Sequence, residues 1–392
     1  MRYSFAVGIV TLISACASTP SVQPVAPDAP PPVSQVTEDD GLIGPPAPAG
    51  ITADPRATQV LSIAAVGDMM LGTDFPDPRL ADDDGAGLLA AVTPWLRAAD
   101  IAFGNIEGVL MDGGEPAKRC SNPRACYLFR SPARYAQWYA DAGFDVVSFA
   151  NNHARDFGEE GRTASMQHVA ALGMHHSGRV GDIARWQQDG LSFALIAFAV
   201  TRNSNSMLEI VPAAREVALL AAEHDIVLVS FHGGAEGLGA LRLPFDEEIY
   251  YNEPRGNVVA FARAMVDAGA DLVLGHGPHV VRAMERYRDR LIAYSLGNFA
   301  TYFGISVAGL KGIAPVLSVR INGFGEFIDG RIYSTRQPRP QGPQLDPSQT
   351  ALRVIRALSV ADFGDSGITF DDDGYLHEAP RRFVRSERGA RF

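Results

Sequence analysis

The stretch DLVLGHGPHV, residues 271–280, runs an apolar segment into Gly-His-Gly-Pro-His. Two imidazoles held by a tight Gly-Pro turn, His276 and His279, can aim at a common point, and imidazole is a ligand for Zn, Mn, Fe or Ni. The same punctuation recurs along the chain. LSIAAV runs into Gly67-Asp68, DIAF into Gly104, Asn105 and Glu107, and FDVVSFA into Asn151, Asn152 and His153. DIVLVSF runs into His232 and, four residues on, Glu236, and LIAYSL into Gly297-Asn298. Carboxylate, amide oxygen and imidazole form a mixed N/O donor set rather than a thiolate site. Six or seven such donors exceed the needs of one tetrahedral ion. Two divalent ions about 3.5–4 Å apart, bridged by a carboxylate and a hydroxide, would use them all. The chemistry of such a centre is hydrolysis of a phosphate ester or a related acid derivative.

Each residue taken alone has a structural explanation. Asp68 could end a strand or cap a helix, Asn152 could form an Asx turn, and His232 could be a hydrogen-bonded core histidine. The Gly-His-Gly-Pro-His cluster has few purely structural uses, and it carries the others with it. Of the nine histidines, four (His153, His232, His276, His279) fall at these strand ends. His175 and His176 read as residues of a helix-to-strand loop. His168 falls on a helical pattern, His224 before a strand, and His377 in the tail; none of the five is given a role.

The elements that must position the donors follow from hydrophobic patterning. From about residue 58, apolar runs of strand length alternate with helical patterns: GLLAAVTPWLRAA, ARYAQWYADAG closed by Gly143, EEGRTASMQHVAALG closed by Gly173, AAREVALLAAEH and GNVVAFARAMVDAGA. This predicts an α/β chain with buried sheets covered by helices. In such sheets ligands bind beyond the carboxyl ends of the strands, which is where the polar residues fall. After about residue 320 the pattern weakens, and residues 321–392 are predicted to be a small C-terminal extension packed on a main domain of residues 58–320.

The start of the chain is of another kind. Arg2, an apolar run and small residues make residues 1–15 a predicted signal peptide. It ends at Cys16, in a pattern that resembles a bacterial lipobox, so Cys16 is the expected lipidation site; an incidental cysteine in a secreted protein is the alternative. By resemblance to Gram-negative lipoproteins, Ala17 directs the protein to the outer membrane, facing the periplasm. Residues 16–57 are proline-rich and read as an extended tether. Cys120 and Cys126, in CSNPRAC, are expected to close a small disulfide loop in an oxidising compartment, with two free thiols or a metal pair as alternatives. The chain has 392 residues and a formal net charge of −11, which argues against nonspecific nucleic-acid binding but leaves an anionic substrate open if metal supplies positive charge.

Taken in order, AAVGDMMLG, FGNIEG, AGFDVVSFANNHARDFGEEG, VSFHGGAEG, AGADLVLGHGPHVV and IAYSLGNFA resemble the CapA family of poly-γ-glutamate capsule synthesis proteins, within the calcineurin-like metallophosphoesterase superfamily. The resemblance implies a four-layer α/β/β/α sandwich with a dinuclear metal centre. It makes Asp68 a metal ligand, sets Glu107 where the superfamily has its bridging aspartate, and makes Asn152 the amide ligand. His153 becomes the acid that protonates the leaving oxygen, and His232, His276 and His279 take the remaining histidine positions. Asn105, Asp156, Glu236 and Asn298 are then expected to orient ligands or meet substrate. The sequence departs from the superfamily at Met70, which replaces the histidine of Asp-x-His, at Glu107 in place of aspartate, and in the wider spacing of His276 and His279. The implied function is an exported, lipid-anchored metal-dependent hydrolase in the biosynthesis of a capsule or poly-γ-glutamate-like polymer. Its partners would be an anionic polymer or phosphoester, the membrane, and polymer synthase or export machinery. The alternative is a non-catalytic, metal-dependent binding or export factor for an anionic polymer.

Overall fold

The computed structural model describes residues 54–118 and 127–380. The predicted signal peptide, Cys16, nearly all of the tether and the Cys120–Cys126 pair lie outside the described residues. Among those described, no helix is long and apolar enough to cross a membrane.

The chain opens with β1 (Val60–Met70), α1 (Thr93–Leu96), β2 (Ile101–Ile106), β3 (Val109–Leu110), β4 (Arg130–Ser131), α2 (Ala136–Ala142) and β5 (Val146–Ser148). It continues through α3 (Gly158–Ala171), β6 (His175–Ser177), β7 (Ile183–Gln188), β8 (Leu191–Ala199), β9 (Asn205–Ser206), α4 (Ile210–Glu223) and β10 (Ile226–His232). Next come β11 (Glu248–Tyr250), β12 (Glu253–Gly256), α5 (Val258–Asp267), β13 (Leu272–His276), β14 (Met284–Tyr287), β15 (Arg290–Ala293) and β16 (Asn298–Thr301). The last elements are β17 (Ile313–Asn322), β18 (Phe327–Arg336), β19 (Gln344–Leu345), α6 (Thr350–Phe363), β20 (Ile368–Phe370) and β21 (Tyr375–Glu378).

Two sheets form the middle of the molecule. The first runs β20-β21-β18-β17-β1-β2-β5-β6, with β16 also paired to β1 and β19 to β18. Its β1, β2, β5 and β6 are mutually parallel, whereas β17, β18, β21 and β20 continue it as an antiparallel meander. The second runs β14-β15-β13-β10-β8-β7, with β8, β10, β13 and β15 parallel. Period-two alternation sends each strand's side chains to two different cores. Leu61 and Ile63 of β1, Ile101 and Phe103 of β2, Ile226 and Leu228 of β10, and Leu272 and Leu274 of β13 meet between the sheets. Ala64 and Ala102 face outward onto Leu96, Tyr139 and Val169 of α1, α2 and α3. Val227 and Val273 face outward onto Val217, Leu220 and Ala262 of α4 and α5. The result is the four-layer α/β/β/α sandwich. Ala351, Leu352 and Ile355 of α6 join the inter-sheet core.

The helices start and stop where local chemistry allows. The Asn257 side chain accepts the Ala260 N–H at 2.9 Å and caps α5, a contact worth about 1 kcal/mol. Gly143 closes α2 at φ 96°. The helix read at GLLAAVTPWLRAA is shorter than expected. Only Thr93–Leu96 is α-helical, and residues 82–92 form successive turns closed by bonds such as Leu88 N to Gly85 O at 3.1 Å. Pro94 lacks the N–H that would continue an α-ladder back into those turns. His175 and His176 lie on the strand β6 rather than in a loop, paired with Val146 and Val147; the strand is too short for alternation to reveal it. The boundary anticipated at residue 320 falls inside β17, and residues beyond it supply β18–β21 and α6.

Close approach of backbone fixes where β1 runs. A Cβ on Gly67 would stand 1.9 Å from the Gly297 carbonyl oxygen, and neither backbone has a rotamer to yield. Gly67→Ala is therefore expected to destabilise the fold by about 3 kcal/mol or more, near the upper end of overpacking costs, measured as a shift in urea midpoint at constant m-value.

Candidate metal centre

The carboxyl ends of β1 and β2 in one sheet and of β10 and β13 in the other converge on one point. Three of the four deliver their donors by simple continuation of the inward phase. Asn105 follows Ile101 and Phe103 on β2, His232 follows Ile226 and Leu228 on β10, and His276 follows Leu272 and Leu274 on β13. His232 and His276 are register partners on adjacent parallel strands. β1 gets there by an irregularity. Val66 and Met69 both face the helices, and the register shifts between Ala65 and Asp68 against β2 and again between Asp68 and Met69 against β16. A bulge of this kind changes the face to which a residue points. It turns the Asp68 carboxylate inward, where it accepts the Asn105 Nδ2–H at 2.9 Å.

His279 completes the cluster from the loop after β13. Gly277 at φ 109° and His279 itself at φ 55° make that turn, and a left-handed non-glycine residue is a costly conformation held by its surroundings. Its ring lies between two carboxylates, with Nδ1 3.2 Å from Asp68 Oδ2 and Nε2 3.6 Å from Glu107 Oε1. Asn298 Oδ1 sits 2.9 Å from the same Nδ1. Asn298 is the first residue of β16, paired with β1, and not the end of the LIAYSL strand, which stops at Ala293. Asn298 Nδ2 donates to the carbonyls of His279, Ser306 and Lys311, so it braces the turn. Asp68, Glu107 and His279 bring one ligand atom each within 4.8 Å of one another. His232 Nδ1 is 3.9 Å from Asp68 Oδ1, and its Nε2 is 4.0 Å from Glu107 Oε1. Glu236 reaches His279 Nε2 at 3.9 Å and is itself held by Arg255 at 2.9 Å.

Several atoms of the predicted ligands are buried without a hydrogen-bond partner: both Glu107 oxygens, Asn152 Oδ1, His232 Nε2 and His276 Nδ1. Burying polar groups unpaired costs about 1–3 kcal/mol each, more for charged ones, and native folds rarely tolerate it without a reason. All five are acceptors or potential metal-ligand atoms. His276 donates through Nε2 to the Val66 carbonyl at 3.1 Å, which leaves Nδ1 as a lone-pair nitrogen. The donor set fits a divalent cation. Met70, also buried, adds no nitrogen donor.

The electrostatics of the metal-free chain agree. Burial pushes the Glu107 carboxyl well above its usual range, with the Asp68 charge adding to the effect and His279 opposing it. Burial also works against ionised Asp68, but the His279 hydrogen bond and the neighbouring imidazoles outweigh it and hold its pKa low. For His279 burial would favour the neutral ring, yet Glu107 and Asp68 push it up to about 10. Burial keeps His232 and His276 neutral. A proton on His279 thus supplies the positive charge the cluster demands.

Asn152 and His153 lie in the loop after β5. The His153 ring is held by Asp156 Oδ2 at 2.7 Å from Nδ1 and packs on Phe129 with ring centroids 4.2 Å apart. Burial lowers its pKa, partly offset by Asp156. Asn151 links this loop to the cluster, donating to Asn105 Oδ1 at 3.2 Å and to the Ile106 carbonyl at 2.8 Å. Sequence reading marked Asn151 as a strand-end residue without a role and missed Arg255 and Lys118. Lys118 Nζ lies 3.2 Å from Asp156 Oδ1 and 3.3 Å from His153 Nδ1, but it stands 35 residues from His153 in a stretch with no pattern to mark it.

A family model described as "Bacterial capsule synthesis protein PGA_cap" matches residues 62–302. A capsule biosynthesis protein CapA of Bacillus anthracis is 26% identical over 268 residues, covering 62% of this chain and 60% of that protein. A PGA biosynthesis protein CapA of Bacillus subtilis is 30% identical over 261 residues, covering 61% and 63%. The chain thus spans under two thirds of the length of these curated relatives. Among solved structures, a 5′-nucleotidase precursor from Thermus thermophilus aligns over 77% of this chain and 59% of its own, at a TM-score of 0.37 and 11% identity.

Proposed function

The chain belongs to the bacterial capsule synthesis protein family, and we propose that it is a metal-dependent hydrolase of the CapA type acting on an anionic cell-surface polymer or a phosphoester. The observation that carries this reading is the set of buried, unpartnered donors around Asp68, Glu107 and His279. Asp68, Glu107, Asn152, His232, His276 and His279 would hold two divalent ions. When bound, divalent ions at such a site acidify a water and offset charge on the group under attack.

The remaining work falls to the chain's own residues. The Asp156 carboxylate is nearer to His153 Nδ1, at 2.7 Å, than the Lys118 ammonium, at 3.3 Å. Nδ1 therefore carries a proton donated to Asp156, and Nε2 is the atom that, in the protonated ring, would pass a proton to a leaving oxygen and be left neutral. Asp156 is fixed by the Phe129 N–H at 2.8 Å and by Lys118, so the ring has one orientation. Asn298 and Glu236 orient His279.

In the same proposal the chain is exported and anchored to the outer membrane by lipid on Cys16, with the proline-rich segment as its tether. Replacing Cys16 with Ser would move it from the membrane fraction to the soluble one. The absence of a nitrogen donor at Met70 favours a second reading, in which the site grips polymer carboxylates without cutting. One experiment separates them. Purified full-length chain is expected to contain about two divalent ions and to hydrolyse a generic phosphodiester, and His153→Ala should lower that rate about 10²–10⁴-fold with metal content unchanged. Metal-dependent polymer binding with no cleavage and no effect of His153→Ala would instead make the protein a binding or export factor. Folded chain with no affinity for divalent ions would overturn both.

A further inference from the structure

Beside His153 the surface opens into a cleft of about 240 Å³, lined among others by Lys118, Asn152, Arg155, Asp156, Arg162 and Arg202. Its charge is unlike that of the chain as a whole, whose formal net charge is −11. Four cationic side chains face two carboxylates. Glu159 is shared by Arg155, at 2.8 Å, and Arg162, at 2.5 Å. Asp156 is shared by Lys118 and His153. Arg162 is fully buried and spends its other donors on the Asn203 and Gly178 carbonyls. Arg202 is exposed and has no hydrogen-bond or ion-pair partner among the described residues. Two positive charges are left without a counter-charge, close to the histidine assigned to proton transfer.

We propose that this cleft is an anion subsite, in which Arg202, Arg155 and Lys118 bind an oxyanion of the substrate, a carboxylate or a phosphate, next to the group attacked. The proposal rests on the hydrolase reading for the word "substrate" but not for the binding itself. Guanidinium forks suit planar or tetrahedral oxyanions and accept them in two-point contact. An unpaired arginine at the mouth needs no rearrangement to do so. Arg155 and Arg162 share the one Glu159 carboxylate, so it neutralises only one of the two guanidinium charges. The inference also assigns the two halves of the site separate duties: the buried cluster holds the reacting group, and the cleft holds the neighbouring unit in register.

The test is calorimetric, on metal-loaded full-length chain at fixed ionic strength, with a short γ-linked glutamate oligomer and inorganic phosphate as separate probes. Arg202→Glu is expected to weaken binding of the recognised probe about tenfold, the loss of one charge-assisted contact. Metal content and unfolding temperature should not change, because Arg202 touches neither the cluster nor the core. If only the oligomer responds, the anion is a polymer carboxylate; if only phosphate responds, it is a phosphate. Unchanged affinity in Arg202→Glu, or no binding of either probe to the wild-type chain, overturns the subsite. A chain that hydrolyses phosphodiester but shows unaltered binding in Arg202→Glu keeps the hydrolase and loses the subsite. A chain that cleaves nothing but loses binding in Arg202→Glu keeps the subsite and loses the hydrolase.

Discussion

Replacing His279 with alanine should lower divalent-metal affinity by at least about 100-fold, more than the usual cost of losing a residue that merely orients a ligand. The ring approaches both carboxylates more closely than His232 does, at 3.2 Å from Asp68 and 3.6 Å from Glu107 against 3.9 and 4.0 Å. Without it, the two acids would share a buried space with no positive charge between them. The wild-type chain should also show a defined pH dependence. His279, pushed up to about 10 by Glu107 and Asp68 against the effect of burial, holds a proton near neutrality in the metal-free chain. A cation must displace it. Raising the pH removes that competition, so apparent affinity should increase from pH 6 to pH 8, by up to about tenfold per unit for each proton released. The sign for folding of the metal-free chain is opposite. The raised His279 pKa stabilises it fully below about 6.5 and loses that contribution as pH rises toward 10. Titration calorimetry in buffers of different ionisation enthalpy counts the protons; zero release would refute the assignment.

Glu248→Ala should destabilise the protein by about 3–5 kcal/mol, the cost of breaking a buried ion pair from one side. Arg282 is fully buried, and Glu248 meets it with two contacts, at 2.8 and 2.7 Å. Arg282 also donates to the Ala240 carbonyl at 2.7 Å, and Glu248 accepts the Ala235 N–H at 2.9 Å. Both partners therefore clamp the loop that follows His232 and carries Glu236. The double variant Arg282→Met, Glu248→Leu should recover much of the stability, because replacing both charges with apolar groups leaves neither stranded. Equal destabilisation in the single and double variants, read from denaturant midpoints, would show that shape rather than charge holds this loop.

The donors on β10 and β13 were legible because an inward alternation of apolar residues simply continues into His232 and His276. The four-layer sandwich was legible from the resemblance, and the strand–helix alternation gave its α/β class. Asp68 was found by its position after a strand, but its direction was not, since it depends on a register slip that only the pairing of β1 with β2 and β16 reveals. Asn298 was placed at the wrong end of a strand for a related reason: which strands pair is a nonlocal matter. Lys118 and the Arg282–Glu248 pair left no local signal. Each is a polar residue whose partner is brought in by the fold, from 35 positions away for Lys118 and His153 and 34 for Arg282 and Glu248.

The donors of the cluster come from both sheets, with Asp68, Asn105 and Glu107 on one side and His232, His276 and His279 on the other. A cation there is a rivet through the seam between the two halves of the sandwich, and its grip is a term in the cohesion of the whole molecule. At a thousand times the dissociation constant that term is about 4 kcal/mol. Scarcity of the ion would then do more than idle the chemistry: it would shorten the life of the folded chain itself.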